Sequence, residues 1–91
     1  MAAKMIVTMK VMPESPEVNL ENIEKQAQDM ILSFGGKFLS AEKQPIGFGL
    51  VSLIIKFSAD ETNGSDFFEE ELKKIPGVES TQVTMMSRAL G

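Results

Sequence analysis

This chain of 91 residues has no cysteine and no histidine, the residue types that supply thiol nucleophiles and the usual general base near neutral pH. Without cysteine, disulfide frameworks, thiolate zinc sites and thiol nucleophiles are excluded. Without histidine, the usual general base and the commonest metal ligand are excluded as well. No serine, threonine or carboxylate has an evident partnering base, so the sequence predicts a protein that is not an enzyme and holds no cofactor and no metal.

Basic residues are few, since nine lysines and arginines stand against thirteen acids and the formal net charge is −4. They form no lysine- and arginine-rich run of the kind that phosphate-backbone binders carry. We therefore expect no direct binding of nucleic acid. Micromolar RNA binding that survives about 150 mM salt would contradict this expectation.

Long apolar runs are also missing. No segment approaches the ~20 apolar residues that span a bilayer, and Lys4 and Lys10 interrupt the N-terminal segment MAAKMIVTMKVM where a signal peptide would be apolar. We expect no membrane association and a cytoplasmic location. With 43% hydrophobic and 24% charged residues, the chain is predicted to form one globular domain over residues 1–91.

Residue periodicity predicts six elements. Period-two alternation predicts β1 over residues 4–12, which the prolines at 13 and 16 should end. Helical spacing after the candidate N-cap Asn19 predicts α1, which Gly35-Gly36 should end. The other predicted elements are β2 at 37–44, β3 at 50–57, α2 at 66–75 with Asn63 or Ser65 as its cap, and β4 at 78–86, followed by a tail at 87–91.

This order predicts an α+β, ferredoxin-like βαββαβ sandwich. Because β-α-β crossovers are right-handed in nearly all cases, both helices should cover one face of a four-stranded antiparallel sheet with strand order 4-1-3-2. In β4, alternation places Thr81, Val83 and Met85 on one face. The predicted core residues are Val7, Met9, Val51, Leu53, Ile55, Val83, Ile23, Ala27 and Leu72.

The segment PIGFGLVSLIIKF, residues 45–57, combines the strongest apolar run with an unusually placed aromatic residue. Phe48 stands between Gly47 and Gly49, which have no Cβ atoms to help hold a core ring in place. Two interpretations remain open on residue type alone: a loop tip that displays a phenyl ring, or a core phenylalanine. Arg88 follows the last predicted strand directly, where a lone cation is usually just solvated.

Three segments together carry a resemblance to a known family: VTMKVMPESPEVNLENI, QPIGFGLVSLIIKF and GVESTQVTMMSRAL. They resemble the guanine-nucleotide exchange domain of translation elongation factor 1-beta, in particular its short archaeal form. The resemblance covers nearly the whole chain. It implies a βαββαβ fold and a guanine-nucleotide exchange factor that promotes GDP release and GTP loading on elongation factor 1-alpha, the GTPase that delivers aminoacyl-tRNA to the ribosome.

The resemblance also implies which residues bind the partner. In the family, exchange depends on a phenylalanine in the GFG-type loop, and this role maps to Phe48. It also depends on a basic residue near the C-terminus that reaches toward the magnesium site of the GTPase, and this role maps to Arg88. Eukaryotic members end in a lysine and one apolar residue, whereas this chain ends Arg-Ala-Leu-Gly, and arginine is a planar fork where lysine is a compact charge. The expected partner-binding residues are Pro45, Ile46, Gly47, Phe48, Gly49, Met86, Arg88 and Leu90.

One alternative from another class shares the topology, namely a small-molecule-sensing or other regulatory ferredoxin-like interaction domain. Three further classes lack their residues here. An RNA-recognition module needs aromatic residues on its central strands, a metal-carrying domain needs paired cysteines, and an acyl-phosphate hydrolase of this fold needs an arginine in the first strand-helix loop, where this chain has MPESPEVN.

Overall fold

The computed structural model describes residues 4–60 and 64–89, with the backbone alone described at positions 64, 65, 88 and 89. The predicted βαββαβ order is confirmed. The elements are β1 Lys4–Pro13, α1 Leu20–Ser33, β2 Lys37–Gly47, β3 Leu50–Asp60, α2 Gly64–Lys73 and β4 Val78–Ala89.

The four strands form one antiparallel sheet in the order β2-β3-β1-β4, which is the predicted order counted from the other edge. The central strands β1 and β3 alternate buried and accessible residues, and Val7 of β1 stands opposite Phe57 of β3. This alternation gives the sheet one apolar face, which must be covered, and one face that stays accessible to water.

Both helices cover the apolar face, as predicted. α1 contributes Ile23, Ala27 and Ile31, and α2 contributes Phe68 and Leu72, to one cluster with the buried residues of β1 and β3. The rings of Phe68 and Phe57 lie 4.9 Å apart between centroids, so an aromatic contact joins α2 to the sheet. We call the other side of the sheet the open face, because neither helix covers it.

Seven of the nine predicted core residues are buried, and the other two, Val51 and Val83, are only partly buried. Val51 stands opposite Pro45 close to the end of the β2–β3 hairpin, and Val83 lies on the edge strand β4. Both residues belong to the core face by the period-two alternation, but they lie at the margin of that face, where the helices cover it only in part.

Element ends differ from the sequence prediction at several points. β2 continues through Pro45 to Gly47, because a proline on an edge strand needs no ladder hydrogen bond, and β1 includes Pro13 as its last residue. β4 continues to Ala89 where a tail was predicted. α2 begins at Gly64, so Ser65 lies inside the helix and is not its cap, and Asn63 lies outside the described residues.

The face prediction for β4 was wrong. Met85 stands opposite Thr8 and Val83 opposite Met9, so Thr84 is an extra residue with no partner on β1. Such a β-bulge shifts the alternation by one residue. Val83 therefore packs against the core, whereas Met85 lies on the open face and is 64% exposed.

Asn19 caps α1 as predicted, since its Oδ1 accepts hydrogen bonds from the backbone N–H groups of Glu21 at 2.9 Å and Asn22 at 3.3 Å. We expect Asn19→Ala to lower the free energy of unfolding by about 1 kcal/mol, because two helix N–H groups lose their acceptor. For a chain of this size this corresponds to a melting temperature lower by about 4–8 °C in a calorimetric scan. Asn19→Ser, which keeps an acceptor, should recover most of the loss, and an unchanged melting temperature for Asn19→Ala would contradict the capping role.

Candidate functional site

The β2–β3 hairpin ends in a two-residue loop, Phe48-Gly49, with Gly47 opposite Leu50. Both loop residues have positive φ, 56° at Phe48 and 77° at Gly49. A type I′ turn requires positive φ at both central residues, and the right-handed twist of paired strands favours that turn. Glycine adopts this conformation freely, but a phenylalanine there is an outlier.

Phe48 is also completely exposed, with a relative accessibility of 101%. A fully buried phenylalanine side chain gains about 1.5–3 kcal/mol that this ring does not gain, and a non-glycine residue at positive φ costs on the order of 1–3 kcal/mol. The two interpretations left open by the sequence are thus decided: Phe48 is displayed by a loop tip and is not part of the core. The fold therefore gains no stability from a phenylalanine at this position.

The base of the loop is well fixed. Ser52 is fully buried, and its hydroxyl donates a 3.2 Å hydrogen bond to the backbone oxygen of Gln44 on the paired strand. On the other side, the β1–α1 loop approaches the tip, since a Cβ atom placed on Gly49 would lie 3.9 Å from the Pro16 ring. The ring of Phe48 therefore projects from a braced support, which limits the entropy lost when it binds.

Pro45, Ile46 and Gly47 belong to the same tip. Pro45 stands opposite Val51, and Ile46 is an extra residue between two paired positions, so it forms a bulge in β2. Ile46 is partly buried, whereas Pro45 and Gly47 are exposed. The five residues of the predicted PIGFG site thus lie together at one end of the molecule.

The other predicted partner-binding residues lie elsewhere. Met86 stands opposite Val7 and is 53% exposed, and the backbone of Arg88 stands opposite Met5. Leu90 lies outside the described residues. Met86 and Arg88 are thus on the last part of β4, toward the end of the sheet that is far from the hairpin tip.

The separation of the two groups follows from the register. Met5 stands opposite both Arg88 and Ala59, and Ala59 is nine residues along β3 from Leu50 at the hairpin tip. At about 3.4 Å per residue, the two groups are about 30 Å apart along a molecule whose longest dimension is 44 Å. The structure therefore gathers the PIGFG residues but does not bring Phe48 and Arg88 together.

Sequence reasoning missed one contact. Glu69 belongs to the run of three glutamates at 69–71 on α2, for which the local sequence alone predicts a solvated helix face. Its carboxylate Oε2 nevertheless accepts a 2.8 Å hydrogen bond from the backbone N–H of Val83 beside the β4 bulge. No signal in the local sequence distinguishes Glu69 from its exposed neighbour Glu70, because the contact depends on how α2 is placed over the edge strand.

Chemically, the described residues offer a binding surface. Within the described parts of the chain no group of three or more acidic, histidine or cysteine side chains is close enough to hold a metal ion, and no helix there is long and apolar enough to cross a membrane. The feature of the described surface that stands out is the fully exposed ring of Phe48 on its braced loop.

Comparison with known proteins identifies the family. The model of the EF-1 guanine nucleotide exchange domain matches residues 6–89, and the chain belongs to this family. The Elongation factor 1-beta of Methanothermobacter thermautotrophicus is 38% identical over 86 residues, which cover 93% of this chain and 96% of the relative. The Elongation factor 1-beta of Methanococcus vannielii is 34% identical, over 93% of this chain and 97% of the relative. That of Nanoarchaeum equitans is also 34% identical, over 89% of this chain and 100% of the relative. The resemblance found in the sequence is thereby confirmed.

Proposed function

We propose that the protein, acting as a single exchange domain over residues 1–91, promotes GDP release and GTP loading on elongation factor 1-alpha during translation elongation in the cytoplasm. The observation that carries this proposal is Phe48, a fully exposed ring at positive φ on a braced tip, in a chain of the exchange-domain family. The small-molecule-sensing alternative is not favoured, since the relatives are elongation factors.

The proposed role requires no bond to be made or broken. Magnesium holds a nucleotide by coordinating its phosphate oxygens, so a protein cation that disturbs the metal weakens that hold. We assign this part to Arg88 and the docking part to Phe48. By linkage, whatever factor this protein takes from the nucleotide's affinity, the nucleotide takes from this protein's affinity, so GTP binding expels the exchange factor.

The distance between the two groups is compatible with one interface. A standard interface covers about 800 Å² on each partner, and a round patch of that area is about 32 Å across. Phe48 and Arg88, about 30 Å apart along the sheet, would then mark opposite ends of a single standard interface. The GTPase should therefore contact the hairpin tip and the last part of β4, at the two ends of the sheet.

Stopped-flow release of a fluorescent GDP analogue from elongation factor 1-alpha tests the function. We expect the release rate to rise with the concentration of this protein and to saturate, because the exchange complex becomes fully formed. Release after chelation of magnesium, without this protein, gives the reference for loss of the metal alone. Release that stays at the spontaneous rate at every concentration, together with ligand-dependent thermal shifts of this protein, would favour the small-molecule-sensing domain instead.

A further inference from the structure

The bulge at Thr84 determines how the end of β4 is presented. Before it, Val83 stands opposite Met9; after it, Met85 stands opposite Thr8 and Met86 opposite Val7. Met9 and Val7 are both core-face residues, and Thr8 lies on the open face. In a strand without a bulge, Met85 would lie on the same face as Val83. Because Thr84 is an extra residue, Met86 lies on that face instead.

Three hydrogen bonds surround this bulge. Two of them join β4 to Glu69 on α2: the backbone N–H of Val83 donates to Glu69 Oε2 at 2.8 Å, and the Thr81 hydroxyl donates to the backbone oxygen of Glu69 at 2.8 Å. The third joins β4 to β1, since the Thr84 hydroxyl donates to the backbone oxygen of Thr8 at 3.2 Å. Because β4 is an edge strand, the N–H of Val83 has no further strand to pair with. Glu69, which is partly buried, supplies the acceptor, and an ionised acceptor makes the stronger kind of hydrogen bond.

We propose that Glu69 is a positioning residue of the exchange site, in that it holds the bulge at Thr84 and so sets the register at which Met86 and Arg88 are presented. The inference rests on the proposed function, because it concerns the same partner. Glu69 lies on α2, touches β4 two to four residues before the strand bends into its final register, and has no contact of its own with the hairpin tip in the described hydrogen bonds and ion pairs. It acts on the Arg88 end of the interface through the strand.

The neighbouring residue Glu70 offers a matched control. It has the same charge and follows Glu69 directly on α2, but it is exposed. Replacing either residue with alanine changes the net charge equally, so a difference between Glu69→Ala and Glu70→Ala reports the hydrogen bond to β4. Glu69→Gln keeps a side-chain oxygen that can accept from Val83 and should retain most of the function.

A deletion gives a rescue that a merely structural role would not predict. Removing Thr84 from the chain leaves Val83 opposite Met9 and Met86 opposite Val7, but with no extra residue between them. The register of Met86 and Arg88 then no longer depends on Glu69. Deletion of Thr84 should therefore restore exchange to the Glu69→Ala variant.

The experiment measures GDP release from elongation factor 1-alpha by stopped flow, and the β4 register by NMR contacts between Met86 and Val7 and by hydrogen exchange of the Val83 amide. We expect Glu69→Ala to lose the Val83 protection and to lower the saturating release rate by about tenfold or more, since a misplacement of about 1 Å can cost a hundredfold. Its half-saturating concentration should change much less, because Phe48 is unaltered. Glu70→Ala should match the wild type, and the double variant with Thr84 deleted should recover both the register and the release rate.

Two results would overturn the inference while leaving the proposed function intact. One is a wild-type release rate for Glu69→Ala; the other is a double variant that shows the Met86–Val7 contact yet stays slow. If Glu69→Ala does not fold, the variant that lacks Thr84 alone tests the proposal. A folded deletion variant that keeps Met86 opposite Val7 but loses exchange would contradict it. If the wild-type protein itself leaves GDP release unchanged, the proposed function fails, whereas the effect of Glu69→Ala on the Val83 amide still tests the bulge.

Discussion

Phe48→Ala is expected to weaken complex formation and nucleotide exchange together, by about 30-fold to 700-fold. This range corresponds to the 2–4 kcal/mol that truncation of an aromatic hot-spot residue typically costs. The ring is fully exposed in the free protein, so its removal takes nothing from the core and the melting temperature should stay close to that of the wild type. Isothermal titration calorimetry with the GDP-free GTPase measures the affinity, and stopped-flow release measures the exchange.

Phe48→Asn sharpens the same test, because it should raise stability while it abolishes the anchor. Asn-Gly is a preferred sequence for a type I′ turn, and asparagine tolerates the positive φ of 56° found at this position far better than phenylalanine does. Relief of the left-handed conformation should add about 1 kcal/mol to the free energy of unfolding. A variant that is more stable than the wild type and yet inactive cannot owe its inactivity to unfolding.

The opposite pattern would show that the ring is structural. If Phe48→Ala lowers the melting temperature strongly while the folded fraction exchanges nucleotide at the normal rate, the docking role assigned to Phe48 is wrong.

Arg88→Ala is expected to lower the saturating exchange rate far more than the affinity. One hydrogen bond to a charged group contributes about 1.5–3 kcal/mol, so the loss should be about 10-fold to 150-fold in rate. Because the role assigned to Arg88 is to disturb the metal, lowering the magnesium concentration should partly restore exchange to this variant and should not restore it to Phe48→Ala. The measurement is a titration of free magnesium in the stopped-flow release assay.

Two further substitutions control for general charge. Arg88→Lys keeps the cation as an ammonium group and should retain exchange, whereas Lys25→Ala removes one positive charge from the exposed side of α1, outside the proposed interface, and should have little effect beyond a small change in association rate. Equal losses for Arg88→Ala and Lys25→Ala would mean that overall charge, and not the position at the end of β4, is what the partner senses.

Local sequence patterns determined the number, type and order of the elements. Period-two alternation in β1 identified the buried face that includes Val7 and Met9, and the N-cap Asn19 identified the start of α1. These features depend on neighbours a few residues away, and the rule for right-handed crossovers then fixed the strand order and the side on which the helices lie. The PIGFGL and GVES segments also indicated the family by their residue identities alone.

Tertiary structure alone decided what concerns the site. Whether Phe48 is buried or displayed depended on the type of turn that joins two strands, which neighbouring glycines permit but do not specify. The contact that holds the bulge at Thr84 depended on Glu69, a helix residue 14 positions before Val83. The distance of roughly 30 Å between Phe48 and Arg88 depended on how β1 pairs with both β3 and β4. Alternation along one strand contains no information about such pairings, because they arise only when distant segments pack against one another.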